Sequence, residues 1–278
     1  MGPRSRPRPF LKWAGGKSQL LNELLPRIGA AAPFGRYHEP FLGGGALFFA
    51  LCRGKHLGRK KACLSDTNAN LVTAYQGVRD ECETIVDLLK AHKQRHNKEY
   101  YYAMRAEKPR TPAESAARII YLNKTCFNGL YRENSKGEFN VPMGKYKDPI
   151  ICDEANLRAV SDALRRAKLN RRPFESVLDH VQPGDFVYFD PPYDPLSQTA
   201  SFTSYDRNGF GPEDQRRLAD VYTELDRRGV KVMLSNSMTD RVRELYKNFT
   251  IHEVQASRPV NSRADRRGKV AEALVTNF

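Results

Sequence analysis

Four consecutive residues, Asp190-Pro191-Pro192-Tyr193, concentrate the chemistry of this sequence. They follow Asp185-Phe186-Val187-Tyr188-Phe189, an apolar and aromatic run that reads as a buried strand. Neither proline can donate a ladder hydrogen bond, so the pair must end the strand. A carboxylate then stands at a strand tip beside a stiff, carbonyl-bearing turn and a flat ring. Ligands of open α/β sheets sit beyond the carboxyl ends of strands. This combination suits an exocyclic amine on a flat base. The lone pair of such an amine is delocalised into the ring, which makes it a poor nucleophile. Accepting its hydrogens on the Asp190 carboxylate and the Pro191 carbonyl lets the nitrogen move toward tetrahedral geometry. It also stabilises positive charge as an electrophilic methyl arrives. The Pro191-Pro192 pair fixes the acceptors. Tyr193 can stack on a base extruded from its duplex, a step that costs roughly a few kcal/mol. The tetrapeptide alone suits adenine and cytosine equally.

Two further strand tips carry acids. Tyr37-His38-Glu39 reads as a short strand, followed by the Gly43-Gly44-Gly45 turn and an apolar helix from Ala46. Gly43 and Gly45 match the first two glycines of a dinucleotide fingerprint, and Phe48 replaces the third. That replacement, with no evident proton-relay residue, disfavours a nicotinamide dehydrogenase. Lys61 to Asp66 reads as a second strand, with Asp66 placed 21 residues after Gly45. The spacing suits a carboxylate that accepts ribose hydroxyls of an adenosyl group. The other reading of Asp66 is the N-cap of a helix through Asn70 to Tyr75, and the two are compatible. If the tips at Glu39, Asp66 and Asp190 are neighbours, the first two hold an adenosine-containing cofactor and the third meets the substrate. Gly15-Gly16-Lys17-Ser18 resembles the end of a phosphate loop, but Leu11 stands where that loop needs glycine. A helix is expected from about Ser18 to Leu25, stopped near Pro26.

The chain has 278 residues and a formal net charge of +14, for which a nucleic-acid partner is the natural explanation. No run of about 18 apolar residues is present to span a membrane. The five cysteines form no C-x-x-C pair, which points to a reducing compartment and argues against a zinc site. His92 and His96, one turn apart, read as surface histidines, so no metal is expected. The basic, proline-rich start over residues 1–9 reads as a flexible arm.

Between the acidic tips lies a different pattern. Residues 78–107 read as helical, polar and charged. Thr111, Pro112 and Glu114 form a helix start with a capping box, for a helix running to about Lys124. Thr125 to Lys147 is turn-rich, basic and aromatic, with a hairpin turn expected over Asn134 to Gly137. Such a hairpin suits base-edge and phosphate contacts, or is an ordinary surface hairpin. Helices are then expected over 154–166 and 174–181, with a strand at 168–169. A polar, aromatic loop (197–210) follows the tetrapeptide. After it come a helix from Pro212 to about Arg228, a strand at 230–235, a helix at 238–247 and a strand at 249–254. A basic loop (Arg258, Arg263, Arg266, Arg267, Lys269) leads to a last strand at 270–276. The expected fold is α/β: a Rossmann-like, mostly parallel sheet with an antiparallel edge at its C-terminal end. Residues 1–74 and 167–278 would form the catalytic domain. Residues 75–166 would form an inserted, mainly helical recognition domain carrying the hairpin.

From Phe10 to Phe278 the chain resembles the Dam type of DNA adenine-N6 methyltransferases. The resemblance rests on Phe-Leu-Lys-Trp-Ala-Gly-Gly-Lys at 10–17, Glu-Pro-Phe-Leu-Gly-Gly-Gly at 39–45 and Asp66 followed by Asn68. It continues with Phe-Asn-Gly-Leu at 127–130, Gly-Glu-Phe-Asn-Val-Pro at 137–142 and Asp-Pro-Pro-Tyr at 190–193, in family order. It implies S-adenosylmethionine as cofactor and double-stranded DNA as substrate, with GATC as the site. It puts Trp13, Lys17, Asp66 and Asp190 at the cofactor, with Phe41 in the apolar wall beside it; Glu39 and Gly43 join them from the strand-tip argument. It puts Lys12, Asn128, Leu130, Arg132, Pro142 and Tyr146 at the DNA. Phe127 stands where some relatives have a tyrosine that wedges into the stack. In the family the arginine at the 132 position reads a guanine of GATC, in agreement with bidentate Arg–guanine pairing. Tyr131 and Glu133, on either side of it, depart from many relatives. A cytoplasmic monomer is expected. The alternatives are an N4-cytosine or RNA methyltransferase, or a catalytically idle DNA-binding regulator, which the intact Asp190 and Tyr193 oppose.

Overall fold

The structure is a computed structural model that describes residues 6–54, 56–58, 61–195, 210–257 and 269–278. Most of the expected 197–210 loop, and the basic loop from Arg258 to Arg267, lie outside the described residues. The strands are β1 (Tyr37–Glu39), β2 (Ala62–Asp66), β3 (Ala167–Arg171), β4 (Phe186–Phe189), β5 (Lys231–Ser237), β6 (Thr250–Ser257) and β7 (Lys269–Thr276). They form a seven-stranded sheet in the order β3-β2-β1-β4-β5-β7-β6. β1 is parallel to β2 and β4, and β4 is parallel to β5. β7 runs antiparallel to β5 and β6, one position in from the end, so β6 forms the outer strand. The helices described are α1 (Leu21–Ala30), α2 (Ala46–Arg53), α3 (Ala69–Asp80), α4 (Cys82–Arg95), α5 (Lys98–Ala106), α6 (Pro112–Thr125), α7 (Glu154–Leu164), α8 (Pro212–Arg227) and α9 (Asp240–Leu245).

The chain divides into two compact units. The first comprises Met1–Ser18, Gly43–Arg59 and Asp66–Arg171; the second comprises Gln19–Leu42, Lys60–Ser65 and Arg172–Phe278. In the second unit every residue of β4 is buried, so its sequence is continuously apolar and aromatic rather than alternating. Val187 and Phe189 join Leu218, Tyr222 and Leu225 of α8, Val242 of α9 and Val232 and Leu234 of β5 in one core. Each such large apolar side chain contributes about 1.5–3 kcal/mol on burial. The expected 174–181 helix is a 3-10 segment, Phe174–Asp179. Helix α1 does not stop at Pro26, which lies inside it. Pro26 and Asn22, whose carbonyl loses its helical donor, are both exposed, so water can satisfy that carbonyl. Arg27 spans the same turn, donating to the Glu23 carbonyl at 2.7 Å and the Glu23 carboxylate at 2.8 Å.

The first unit is mainly helical. α3 packs on α6 and α7, and α4 packs on α6. A Cβ at Gly77 of α3 would lie 2.6 Å from the Ala116 Cβ of α6, so only glycine allows this approach. The predicted capping box is present: the Glu114 amide donates to Thr111 Oγ1 (3.1 Å) and the Thr111 amide to Glu114 Oε2 (3.2 Å). Two expectations fail here. His92 and His96 are half-buried, with ring partners, rather than free surface groups. His92 stacks on Tyr121 at 4.9 Å and its Nδ1 lies 2.7 Å from the Tyr100 hydroxyl, while His96 Nδ1 lies 2.9 Å from the Tyr121 hydroxyl. Burial lowers the His92 pKa to about 4. Nor is the whole N-terminal stretch a loose arm. The Arg8 backbone exchanges hydrogen bonds with the Asn156 amide, its guanidinium pairs with Asp153 at 2.7 Å, and Arg53 holds the Pro7 carbonyl at 2.8 Å. These partners lie more than 45 residues away in sequence, beyond the reach of local composition. Among the described residues no helix is long and apolar enough to cross a membrane, and no group of three or more His, Cys, Asp or Glu side chains is placed to hold a metal.

Candidate active site

In the second unit, Glu39 and Asp190 lie at the C-terminal ends of adjacent parallel strands, where α/β sheets bind ligands. The stretch from Asp190 to Asp194 is held by buried polar groups. Gln215 Nε2 donates to the Pro192 carbonyl (3.1 Å), and Gln215 Oε1 accepts from Asn236 Nδ2 (3.0 Å). Asn236 Oδ1 accepts from the Asp194 amide (2.9 Å). The Asp194 carboxylate takes the Thr239 hydroxyl (2.7 Å) and the Arg241 guanidinium. The Tyr193 hydroxyl donates to Glu272 Oε2 (2.8 Å). Burial, and then the Asp190 carboxylate, push the Tyr193 hydroxyl well above the ordinary phenol range, so it stays a donor at neutral pH. Tyr188 is raised for the same reasons and shares a 2.7 Å hydrogen bond with the Ser235 hydroxyl. Glu39 is buried and accepts from the Tyr37 hydroxyl at 2.8 Å. Phe41 lies among Phe174 (5.4 Å), Phe210 (5.7 Å) and Phe189 (6.2 Å). Gln215, Asn236 and Glu272 escaped the sequence reading. The one signal was Ser235-Asn236-Ser237, three polar residues closing an apolar strand, and it does not name their partners.

In the first unit, Gly43 adopts φ +47°, and a Cβ there would sit 3.1 Å from the Trp13 ring. The turn needs glycine for both reasons. Its amide donates to Asp66 Oδ2 (3.1 Å), and Asp66 Oδ1 accepts the Asn68 amide (2.9 Å). Asp66 is therefore not the helix cap. Asn68 caps α3 by accepting the Leu71 amide (2.9 Å), while Asp66 ties the glycine turn to the end of β2. Burial raises the Asp66 pKa, opposed by the amides of Asn68, Gly43 and Thr67. A carboxylate has about four acceptor sites, more than these amides fill, so hydroxyl donors of a ligand fit it. Lys17 is buried and donates to the Gly15 carbonyl at 2.6 Å. The Trp13 ring lies 5.2 Å from that of Tyr131.

The predicted hairpin is present in the same unit. The Asn134 amide donates to the Glu138 carbonyl (2.9 Å), the Gly137 amide to Asn134 (3.0 Å) and the Asn140 amide to Arg132 (3.0 Å). Side chains alternate along the ingoing arm. Tyr131 and Glu133 bond each other and receive Asn70 Nδ2 at 2.7 and 2.8 Å, while Arg132 between them is exposed. Arg132 Nε donates to Asn140 Oδ1 at 2.7 Å, which orients the guanidinium. Phe127 and Leu130 are large apolar side chains exposed by 49% and 39%. Asn128 between them has φ 54°, a left-handed conformation that asparagine tolerates better than most residues. The amide of Phe127 donates to the carbonyl of the exposed Pro142 at 2.8 Å. The Lys12 ammonium sits 4.1 Å from the Tyr146 ring centre. Asn123 fixes the Lys12 backbone through two 2.7 Å bonds. All seven DNA-contact candidates thus belong to the first unit. Asn123 and Asn140, which hold Lys12 and Arg132, and Asn70, which holds the residues flanking Arg132, were not foreseen.

Comparison with known proteins agrees with this chemistry. Residues 13–260 match the family model of D12 class N6 adenine-specific DNA methyltransferases. The chain is 44% identical over 281 residues to the type II methyltransferase M1.LlaDCHI of Lactococcus lactis subsp. cremoris, covering 98% of this chain and 95% of that one. It is 42% identical over 288 residues to the type II methyltransferase M.MjaIII of Methanocaldococcus jannaschii, covering 98% and 99%. It is 35% identical over 272 residues to the DNA adenine methylase of Escherichia coli (strain K12), covering 96% and 94%. With an acid–proline–proline–tyrosine clamp at a strand end and a matching sequence over nearly its full length, the chain belongs to the D12 class of N6 adenine-specific DNA methyltransferases.

Proposed function

We propose that this enzyme methylates N6 of a flipped-out adenine in GATC, within double-stranded DNA, using S-adenosylmethionine. The observation that carries the chemistry is the Asp190–Tyr193 stretch, anchored at Pro192, Tyr193 and the following Asp194 by buried hydrogen bonds. S-adenosylmethionine supplies an electrophilic methyl group when bound. Asp66, Gly43, Trp13 and Lys17 fit its binding: the half-buried Asp66 carboxylate has acceptor capacity for ribose hydroxyls, and the glycine turn is open where a Cβ would close on Trp13. We further assign Glu39, Phe41 and Asp190 to cofactor binding. Asp190 and the Pro191 carbonyl accept the two N6 hydrogens, Pro192 stiffens the turn, and Tyr193 stacks on the base.

Residues 75–166 serve in this reading as the target-recognition insert. Lys12, Phe127, Asn128, Leu130, Arg132, Pro142 and Tyr146 meet the DNA, with Phe127 as the wedge. Arg132 supports guanine reading, because it is exposed and Asn140 orients its guanidinium through Nε and, at 3.4 Å, through one terminal nitrogen. The enzyme acts as a cytoplasmic monomer. The test uses purified protein, labelled cofactor and duplexes containing GATC or single-base variants of it, with nucleoside analysis of the product. N6-methyladenine confined to GATC is expected. N4-methylcytosine, or equal labelling of the variant sites, would overturn the reading.

A further inference from the structure

We propose that Gln215, Asn236 and Glu272 are positioning residues for methyl transfer, setting torsions in the Pro192–Tyr193 half of the Asp190–Tyr193 clamp. The inference rests on the clamp role given above. Proline rings already fix φ at positions 191 and 192. Among the torsions that remain are the rotation that aims the Pro192 carbonyl and the two side-chain torsions of Tyr193. Both groups have a buried partner: Gln215 Nε2 on the Pro192 carbonyl, and Glu272 Oε2 on the Tyr193 hydroxyl.

The Gln215–Asn236 pair is directional. Asn236 Oδ1 accepts two backbone amides, from Asp194 (2.9 Å) and Ser237 (2.8 Å), so its orientation is set by the main chain. Its Nδ2 must then point to Gln215 Oε1 (3.0 Å), which leaves Gln215 Nε2 to donate to Pro192 (3.1 Å). Two carboxamides in this order complete the chain of bonds; a carboxylate at either place would remove a donor. The groups come from α8 and from the end of β5, and Glu272 comes from β7, so three elements converge on one turn. Gln215 is 1% exposed, Asn236 0% and Glu272 7%. Buried polar groups are costly unless paired, and a fully paired network fixes one geometry. None of the three is an acceptor for the amine; they act through Pro192 and Tyr193.

The test measures single-turnover methylation at saturating cofactor and duplex, together with duplex affinity and thermal unfolding. Gln215→Met keeps volume and loses the donor; Glu272→Met loses the acceptor; Glu272→Gln keeps one. Gln215→Met and Glu272→Met should each slow methyl transfer roughly ten- to a hundredfold, the scale of a small misplacement of reacting groups, with duplex affinity near wild type. Glu272→Gln should recover most of the rate. In a Tyr193→Phe background, Glu272→Met should add no further slowing, because the bond it removes is already absent. Wild-type rates in Gln215→Met and Glu272→Met, or equal slowing by Glu272→Met with and without the Tyr193 hydroxyl, would overturn the proposal. Should Gln215→Met fail to fold, the Glu272 pair and the double variant decide alone. An Asp190→Asn enzyme with near-normal turnover would instead sink the underlying clamp reading, which separates the two failures.

Discussion

Asp185 enters β4 and Asp190 leaves it, with four apolar and aromatic residues between them. At the entry, the Asp185 carboxylate accepts the amides of Arg36 (2.8 Å) and Gln182 (3.0 Å) and the Arg36 Nε (3.0 Å), and His38 Nε2 lies 3.0 Å away. Burial alone would raise its pKa, but these donors outweigh burial and bring it below the ordinary value. At the exit, the buried bonds go to Pro192, Tyr193 and Asp194, the neighbours of Asp190 in the turn. One strand thus carries an acid that fixes the fold and, in our reading, an acid held in place for a substrate. The residue type does not distinguish them. The donors around each do, and so does the end of the strand at which each stands.

Substitution at the two ends should separate the roles. Asp190→Asn is expected to slow methyl transfer on the order of a thousandfold, with unfolding temperature and duplex affinity near wild type, as read in single-turnover and binding assays. Asp185→Asn should do the reverse, costing about 3 kcal/mol in denaturant unfolding while the rate per folded molecule holds. The sign of its pH dependence follows from a lowered folded pKa. The stabilisation is present above the unfolded value of 3.8 and is lost as pH falls through the folded value. The stability gap between wild type and Asp185→Asn should therefore close in strong acid; a constant gap would rule out the ion pair as its source.

The hairpin proposed to read the DNA offers a milder contrast. Arg132→Ala should relax discrimination at one base pair by about 1–3 kcal/mol, measured as relative rates on single-base variants of the site. Equal weakening on every duplex would mark Arg132 as a phosphate contact instead. Smallest is the effect at Asp66. Because burial raises its pKa, cofactor affinity should fall as pH is lowered into the upper carboxylate range. Asp66→Asn should bind about tenfold more weakly at neutral pH and show no such acid-side fall, which titration calorimetry can follow.

Features governed by neighbouring residues were legible in the sequence. Pro191-Pro192 had to end a strand, and Thr111, Pro112 and Glu114 had to open a helix. Asn134 to Gly137 had to turn the chain. The errors have local causes too: Pro26 is tolerated because its face is exposed, and Asn68 competes successfully with Asp66 for the cap. What could not be read were bonds between distant residues. Gln215 reaches Pro192 across 23 positions, Asn123 reaches Lys12 across 111, and Glu272 reaches Tyr193 across 79. Sequence patterns report which residues are buried, but not which polar group a buried amide will meet. Thus the residues proposed to act on the substrate were visible, while those that aim them were not.

The register of β1 against β4 also bears on how the enzyme is made. Tyr37 pairs with Phe186, and 148 residues separate them in the chain. At a synthesis rate of roughly 5–20 residues per second, β1 leaves the ribosome about 7–30 s before its central partner exists. β2 arrives sooner and can cover one edge, while the helices of the first unit form from nearby sequence. The other edge of β1 waits unpaired, in a segment that later becomes fully buried. Delays in translation between these two strands should therefore lower the yield of soluble enzyme more than equal delays after β5 has been made.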